Sequence, residues 1–181
     1  MMVLILGGSG SGKSFYAEKV VLSLSDSSAS PDMKRYYLAT MLVSDDEGKQ
    51  RVLLHRKLRS GKGFITIEQP IQIHKALEKM ESGKKIALLE CISNLVANEM
   101  FSQDKIKPEM AVITDVIKGI CMLKKEITHL VLVSNNIFED GTIYDKTTME
   151  YIHAMGKINQ RLAAMADKVV EVVAGIPVTI K

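Results

Sequence analysis

Near its start this chain carries Gly7-Gly8-Ser9-Gly10-Ser11-Gly12-Lys13-Ser14, the pattern G-x-x-x-x-G-K-S, set between an apolar run and a helical stripe. Met2 to Leu6 reads as a buried parallel strand, and Ala17, Val20, Val21 and Leu24 recur at helical spacing after the loop. In that context the loop is a phosphate cradle. Its backbone N–H groups converge on one concavity, and the helix that follows adds exposed amides and a favourable dipole. Lys13 reaches the outer phosphates and the Ser14 hydroxyl is a magnesium ligand. The plain alternative, a Gly/Ser-rich turn, does not explain the strand before it or the helix after it.

The rest of the chain repeats the alternation. Apolar, β-branched runs at Val3 to Leu6, Tyr36 to Ala39, Phe64 to Ile67, Ile86 to Leu89, Leu130 to Val133 and Val169 to Val173 are separated by helical patterns. The helical stripes are Ile73, Leu77 and Met80; Ile113, Val116, Ile117 and Ile120; and Tyr151, Met155, Ile158, Leu162 and Met165. Gly175-Ile176-Pro177 predicts a turn into a short antiparallel last strand, Val178-Thr179-Ile180. The expected fold is therefore α/β: a phosphate-loop domain with a mostly parallel sheet, helices on both faces and a short antiparallel C-terminal strand. With 181 residues, one nucleotide-binding and catalytic domain spanning 1–181 is expected. Loops are expected at Ser25 to Met33 and at the charged segment Ser44 to Gly63.

Composition narrows the partners. A net charge of +3 with no dense Lys/Arg run interleaved with aromatics argues for small anionic substrates and against nucleic acid. No apolar stretch reaches the length of a membrane span, and no cleavable leader precedes the first strand, so a cytoplasmic enzyme is expected. Cys91 and Cys121 lack the paired spacing of a metal or redox site. Cys91 reads as small core packing rather than a nucleophile.

Two further groups carry candidate chemistry. Glu90 ends the run Ile86 to Leu89, where an acidic residue can hold the magnesium or its water. Ser14 and Glu90 are thus the candidate metal ligands. His55 sits in a basic cluster, Arg51 to Arg59, whose cations favour the neutral, nucleophilic imidazole and can clamp phosphates; a charged surface helix is the alternative. His74, His129 and His153 have no polar cluster around them and read as structural or solvent-facing.

Taken together, the Gly-rich loop, Tyr37-Leu38-Ala39-Thr40, Asp46-Glu47, Arg51-Val52-x-x-His55-Arg56-x-x-Arg59, Thr66-Ile67-Glu68, Leu88-Leu89-Glu90-Cys91-Ile92, Ser134-Asn135, Gly156 to Ala163 and Ala174-Gly175-Ile176-Pro177 resemble one family over nearly the whole chain. It is the bifunctional adenosylcobinamide kinase and adenosylcobinamide-phosphate guanylyltransferase family of cobalamin biosynthesis. The resemblance implies phosphorylation of the aminopropanol hydroxyl of adenosylcobinamide by ATP or GTP. Transfer of GMP from GTP onto that phosphate would follow, through a GMP-histidine adduct at His55. The residues it implies for nucleotide binding are Gly7, Gly8, Ser9, Gly10, Ser11, Gly12, Lys13, Ser14, Ala39, Thr40, Met41, Arg56, Lys57, Leu58, Arg59, Glu68 and Glu90, with magnesium as cofactor. It also implies a homo-oligomer, a trimer. After Ser134-Asn135 the chain departs from the family's usual Glu-Val-Gly, reading Asn136-Ile137-Phe138-Glu139. Guanylyl transfer alone is therefore one alternative, and a nucleotide-binding regulatory protein without catalysis is another.

Overall fold

The computed structural model describes residues 1–27, 32–42, 59–101, 105–136, 142 and 144–181. Seven strands form one sheet in the order β3-β2-β4-β5-β1-β6-β7. They are β1 (Met2–Leu6), β2 (Lys34–Ala39), β3 (Phe64–Glu68), β4 (Lys85–Glu90), β5 (His129–Val133), β6 (Lys168–Val173) and β7 (Ile176–Thr179). Every pairing is parallel except β6 with β7. The helices are α1 (Lys13–Asp26), a 3-10 helix (Ile73–Lys79), α2 (Ile92–Phe101), α3 (Glu109–Glu126) and α4 (Lys146–Met165).

Successive side chains of a strand point to opposite faces, so the apolar runs fill two layers at once. Val3 and Ile5 of β1, Ile86 and Leu88 of β4, and Val131 and Val133 of β5 pack with Ala17 and Val21 of α1. Met2, Leu4, Ala87, Leu89, Leu130 and Leu132 face the other way, onto Leu95 of α2, Val116 and Ile120 of α3, and Ile158 and Leu162 of α4. Helices thus cover both faces, and the parallel order brings the carboxyl ends of β1 to β5 to one edge.

Three expectations need correction. Ile176 and Pro177 belong to β7, and the turn is Ala174-Gly175, at φ 48° and 82°. Pro177 is tolerated because β7 is an edge strand. The predicted loop from Ser25 starts too early, since α1 runs to Asp26 and buries Ser25, whose hydroxyl accepts from Arg35 Nε at 2.9 Å. The first helical stripe is a 3-10 helix ending at Lys79, with Met80 extended beyond it. Of the predicted charged loop, residues 44–58 lie outside the described residues; the described part, 59–63, is a turn with Ser60, Gly61 and Gly63 exposed, and two of its cations are held against the fold. Arg59 is buried, and Lys62 pairs with Glu18, itself buried on α1.

Leu89 is fully buried at the centre of the sheet. Leu89→Ala is expected to cost about 2–5 kcal/mol in urea denaturation, while Met110→Ala at the exposed start of α3 stays within about 0.5 kcal/mol.

Candidate active site

The phosphate loop is shaped by close backbone approach. Gly10 and Gly12 sit at φ 72° and 88°, the left-handed region that favours glycine. A Cβ on Gly7 would lie 2.7 Å from the Val172 carbonyl oxygen and 2.6 Å from Ser11 Oγ, so no other residue fits without moving β6. Neighbours clamp the loop from two sides: Asn136 N donates to Gly7 O at 3.2 Å, and Gly175 N donates to Ser11 O at 2.9 Å. Lys13 folds back across the loop, its Nζ donating to Gly8 O at 2.9 Å. Burial holds the Lys13 ammonium below the ordinary lysine range, opposed by the Cys91 thiol and the Glu90 carboxylate. A phosphate arriving there would compensate a cation that has lost water.

Beside the loop, at the carboxyl ends of the strands, lies a cleft of about 560 Å³, where open α/β sheets bind their ligands. Ser9, Gly10, Lys13 and Ser14 line it from the loop, Ala39 and Met41 from the end of β2, Glu68 from β3 and Glu90 from β4. Arg59 closes the far side. A chain of contacts crosses the cleft floor. Ser14 Oγ donates to Glu90 Oε1, Tyr37 OH donates to Glu90 Oε2 at 3.0 Å, and the Arg59 guanidinium lies 3.4 Å above the Tyr37 ring. Burial, then the Glu90 carboxylate, push the Tyr37 phenol far up, so it remains a donor throughout the physiological range. Arg59 is 7% exposed, and its Nη1 has no hydrogen-bond partner among the described residues. A buried guanidinium nitrogen without a partner is an unmet demand for an anion or a carbonyl.

The remaining site expectations divide. Gly7, Gly8, Ser11 and Gly12 build the loop without lining the cleft. The Thr40 side chain is fully buried and turned to the backbone: Oγ1 donates to Cys91 O and accepts from Cys91 N, both at 2.8 Å. Its hydroxyl ties β2 to the residue after β4. Cys91 packs against the α1-side core as expected, and it also lines the cleft. Burial nevertheless pushes its thiol up, which leaves it a poor nucleophile. His55, Arg56, Lys57 and Leu58 lie outside the described residues. Tyr37, Asn94 and Asn135 also line the cleft. Of these, Tyr37 and Asn135 entered the sequence reading only through the family pattern, and Asn94 not at all.

The Ser14 hydroxyl and a Glu90 oxygen lie side by side, the donor set a magnesium ion takes when substrate phosphates and water supply the rest. Among the described residues no group of three or more His, Cys, Asp or Glu could hold a metal by itself.

A family model described as CobU, cobinamide kinase / cobinamide phosphate guanyltransferase, matches residues 3–180. The chain belongs to this family. Two relatives named bifunctional adenosylcobalamin biosynthesis protein CobU, from Escherichia coli (strain K12) and Salmonella typhimurium, are each 30% identical over 190 residues, with 100% of both chains covered. The bifunctional adenosylcobalamin biosynthesis protein CobP of Pseudomonas aeruginosa is 25% identical over 183 residues, covering 100% of this chain and 98% of that one. A solved KaiC-like protein from Pyrococcus horikoshii OT3 shares the fold at a TM-score of 0.51 and 13% identity, over 94% of this chain and 69% of that one. The protein is thus an enzyme of the cobinamide kinase and guanyltransferase family, built on a phosphate-loop α/β sheet.

In this enzyme Tyr37→Phe keeps the ring beneath Arg59 and removes only the hydrogen bond to Glu90. The expected loss is about 1.5–3 kcal/mol, roughly tenfold or more in kcat/KM, with little change in Tm. An unchanged kcat/KM would mean that Ser14 alone orients the carboxylate.

Proposed function

We propose that the chain, acting as one domain over 1–181, phosphorylates adenosylcobinamide and then guanylylates the product through His55. One observation carries this: Lys13, Ser14 and Glu90 share a cleft with Arg59, the last residue of the Arg51 to Arg59 motif that contains His55. A phosphate site alone would serve a kinase. Arg59 in the same cleft supports one nucleotide serving both steps, because it belongs to the motif that contains His55.

In the first step the substrate hydroxyl attacks the γ-phosphorus of ATP or GTP, the bond to the bridging oxygen breaks, and the hydroxyl proton is lost. The loop amides and Lys13 hold the transferring phosphates in line and take up developing charge. In the second, the neutral His55 imidazole attacks the α-phosphorus of GTP; a P–N bond forms and pyrophosphate leaves. The corrinoid phosphate oxygen then attacks the same phosphorus, the P–N bond breaks, and adenosylcobinamide-GDP is released with His55 free again. Arg59, with Arg56 and Lys57 beside it in sequence, neutralises the phosphates through both transfers, and Glu68 with Ala39 to Met41 completes the nucleotide wall. Magnesium at Ser14 and Glu90 would supply charge neutralisation between phosphate oxygens.

Guanylyl transfer alone is favoured by one feature, the amide of Asn136 where the family pattern carries a carboxylate. Asn136 Nδ2 nevertheless donates to Glu171 Oε1 at 3.4 Å, so β6 returns a carboxylate to that place. The family's homo-oligomer, expected as a trimer, belongs to the same proposal. So does a cytoplasmic location, in keeping with the free thiols Cys91 and Cys121.

With magnesium and GTP labelled at the α-phosphate, wild-type protein is expected to acquire an acid-labile, alkali-stable label that His55→Ala lacks. Absence of label despite measurable GTP binding would remove the guanylyltransferase step. Lys13→Ala is expected to lower triphosphate use by at least about 100-fold, read as γ-phosphate transfer to the corrinoid; full turnover by that variant would show that the loop does not hold the reacting nucleotide.

A further inference from the structure

Beyond the carboxyl ends of β4 and β5 stand four asparagines, and they divide into two kinds. Asn98 is tied into the fold, its Nδ2 donating to Thr40 O at 2.7 Å and to Pro70 O at 3.0 Å. Asn159 is tied likewise: it accepts from Ser134 Oγ at 2.7 Å and donates to Asn135 O at 3.3 Å. Asn94 and Asn135 instead line the cleft. Asn135 Nδ2 donates to Ser93 Oγ at 2.7 Å, which fixes the carboxamide and leaves Oδ1 as an acceptor. The Asn94 carboxamide has no side-chain partner among the described residues. Pro70 and Cys91 line the same cleft.

We infer that Asn94 and Asn135 form an amide-recognition subsite for the arm of the acceptor that carries the reacting hydroxyl. The subsite rests on the proposed function and gives it a substrate contact. A cleft of about 560 Å³ is of the size that holds one drug-sized molecule, too small for a corrin ring together with a nucleotide. Only the aminopropanol arm enters, and the ring stays at the mouth. That arm is joined through a secondary amide, which offers one carbonyl acceptor and one N–H donor. Asn94 Nδ2 donates to the carbonyl; Asn135 Oδ1 accepts from the amide N–H. The hydroxyl, a few bonds further along, is then directed at the loop where the γ-phosphate lies. A site built to pair with an amide discriminates strongly against acceptors lacking one, because its own polar groups would be left without partners.

The test uses purified full-length protein and Asn94→Leu, with Asn94→Gln as the variant that restores a carboxamide. The KM for adenosylcobinamide is expected to rise about tenfold in Asn94→Leu, recover at least partly in Asn94→Gln, and be accompanied by less than a twofold change in the KM for GTP. A folding defect would move both constants. The small amide N-(2-hydroxypropyl)propanamide is expected to compete with adenosylcobinamide on the wild type and to lose that competition on Asn94→Leu. Equal corrinoid KM values for wild type, Asn94→Leu and Asn135→Ser would overturn the subsite and leave the proposed function standing. Failure of wild type to bind or turn over adenosylcobinamide at all would overturn both.

Discussion

The contact on which the site depends is the Glu90 carboxylate, held between Ser14 and Tyr37. In the strand order β4 and β1 are separated by β5, and the helix that follows β1 crosses β5 to pack on β4, which brings Ser14 to the residue that ends β4. Each carboxylate oxygen has its own donor, which removes the rotational freedom a lone surface glutamate would keep. The hydroxyl and carboxylate are thereby set before any ligand arrives. Tyr37 extends the arrangement to Arg59, whose guanidinium stacks on the ring. A planar cation on an aromatic face keeps its N–H edge free for hydrogen bonding, so stacking places Arg59 without using its Nη1.

Support for the loop comes from the opposite end of the chain. β6 and β7 form the antiparallel hairpin, and its turn delivers the Gly175 N–H to Ser11 O while Val172 O presses on Gly7. The first functional loop and the last hairpin are therefore one packed unit. Asn136 at the end of β5 completes the clamp through Gly7 O.

Legibility in the sequence followed the physics of each element. β1 and the loop were readable because a strand buried on both faces is a continuous apolar run and the loop's glycines mark close backbone approach. α4 was readable because one face is polar, leaving a stripe through Tyr151, Met155, Ile158 and Leu162. α2 was not: Ile92, Ser93, Leu95, Val96, Glu99 and Met100 are all buried, and a helix covered on most sides has no clean period. Within it Asn94 had no signal. Tyr37 was hidden similarly, since a tyrosine in a β-branched run reads as core, and only the fold reveals that its hydroxyl finds Glu90. Arg59 was legible as a phosphate-clamping cation of the Arg51 to Arg59 cluster but not as a buried one; it is packed against the ring of Tyr37, a residue of β2 rather than a sequence neighbour.

The charges in the cleft follow an order that bears on what it can hold. Lys13 is partly stripped of water and hydrogen-bonded to a carbonyl, not to a carboxylate. Arg59 is buried against a ring. Cations placed so are costly unless an anion joins them. Yet Glu90 stands on the same wall, and a bare phosphate would be repelled by it at short range. A polyphosphate accompanied by a divalent cation resolves both demands: its phosphates satisfy Lys13 and Arg59, and the cation turns Glu90 from a repulsive neighbour into a ligand. The same logic bears on the acceptor subsite. A carboxamide pair can orient an uncharged arm beside concentrated negative charge without adding to it, so neutral and charged groups of one cleft can serve one transfer.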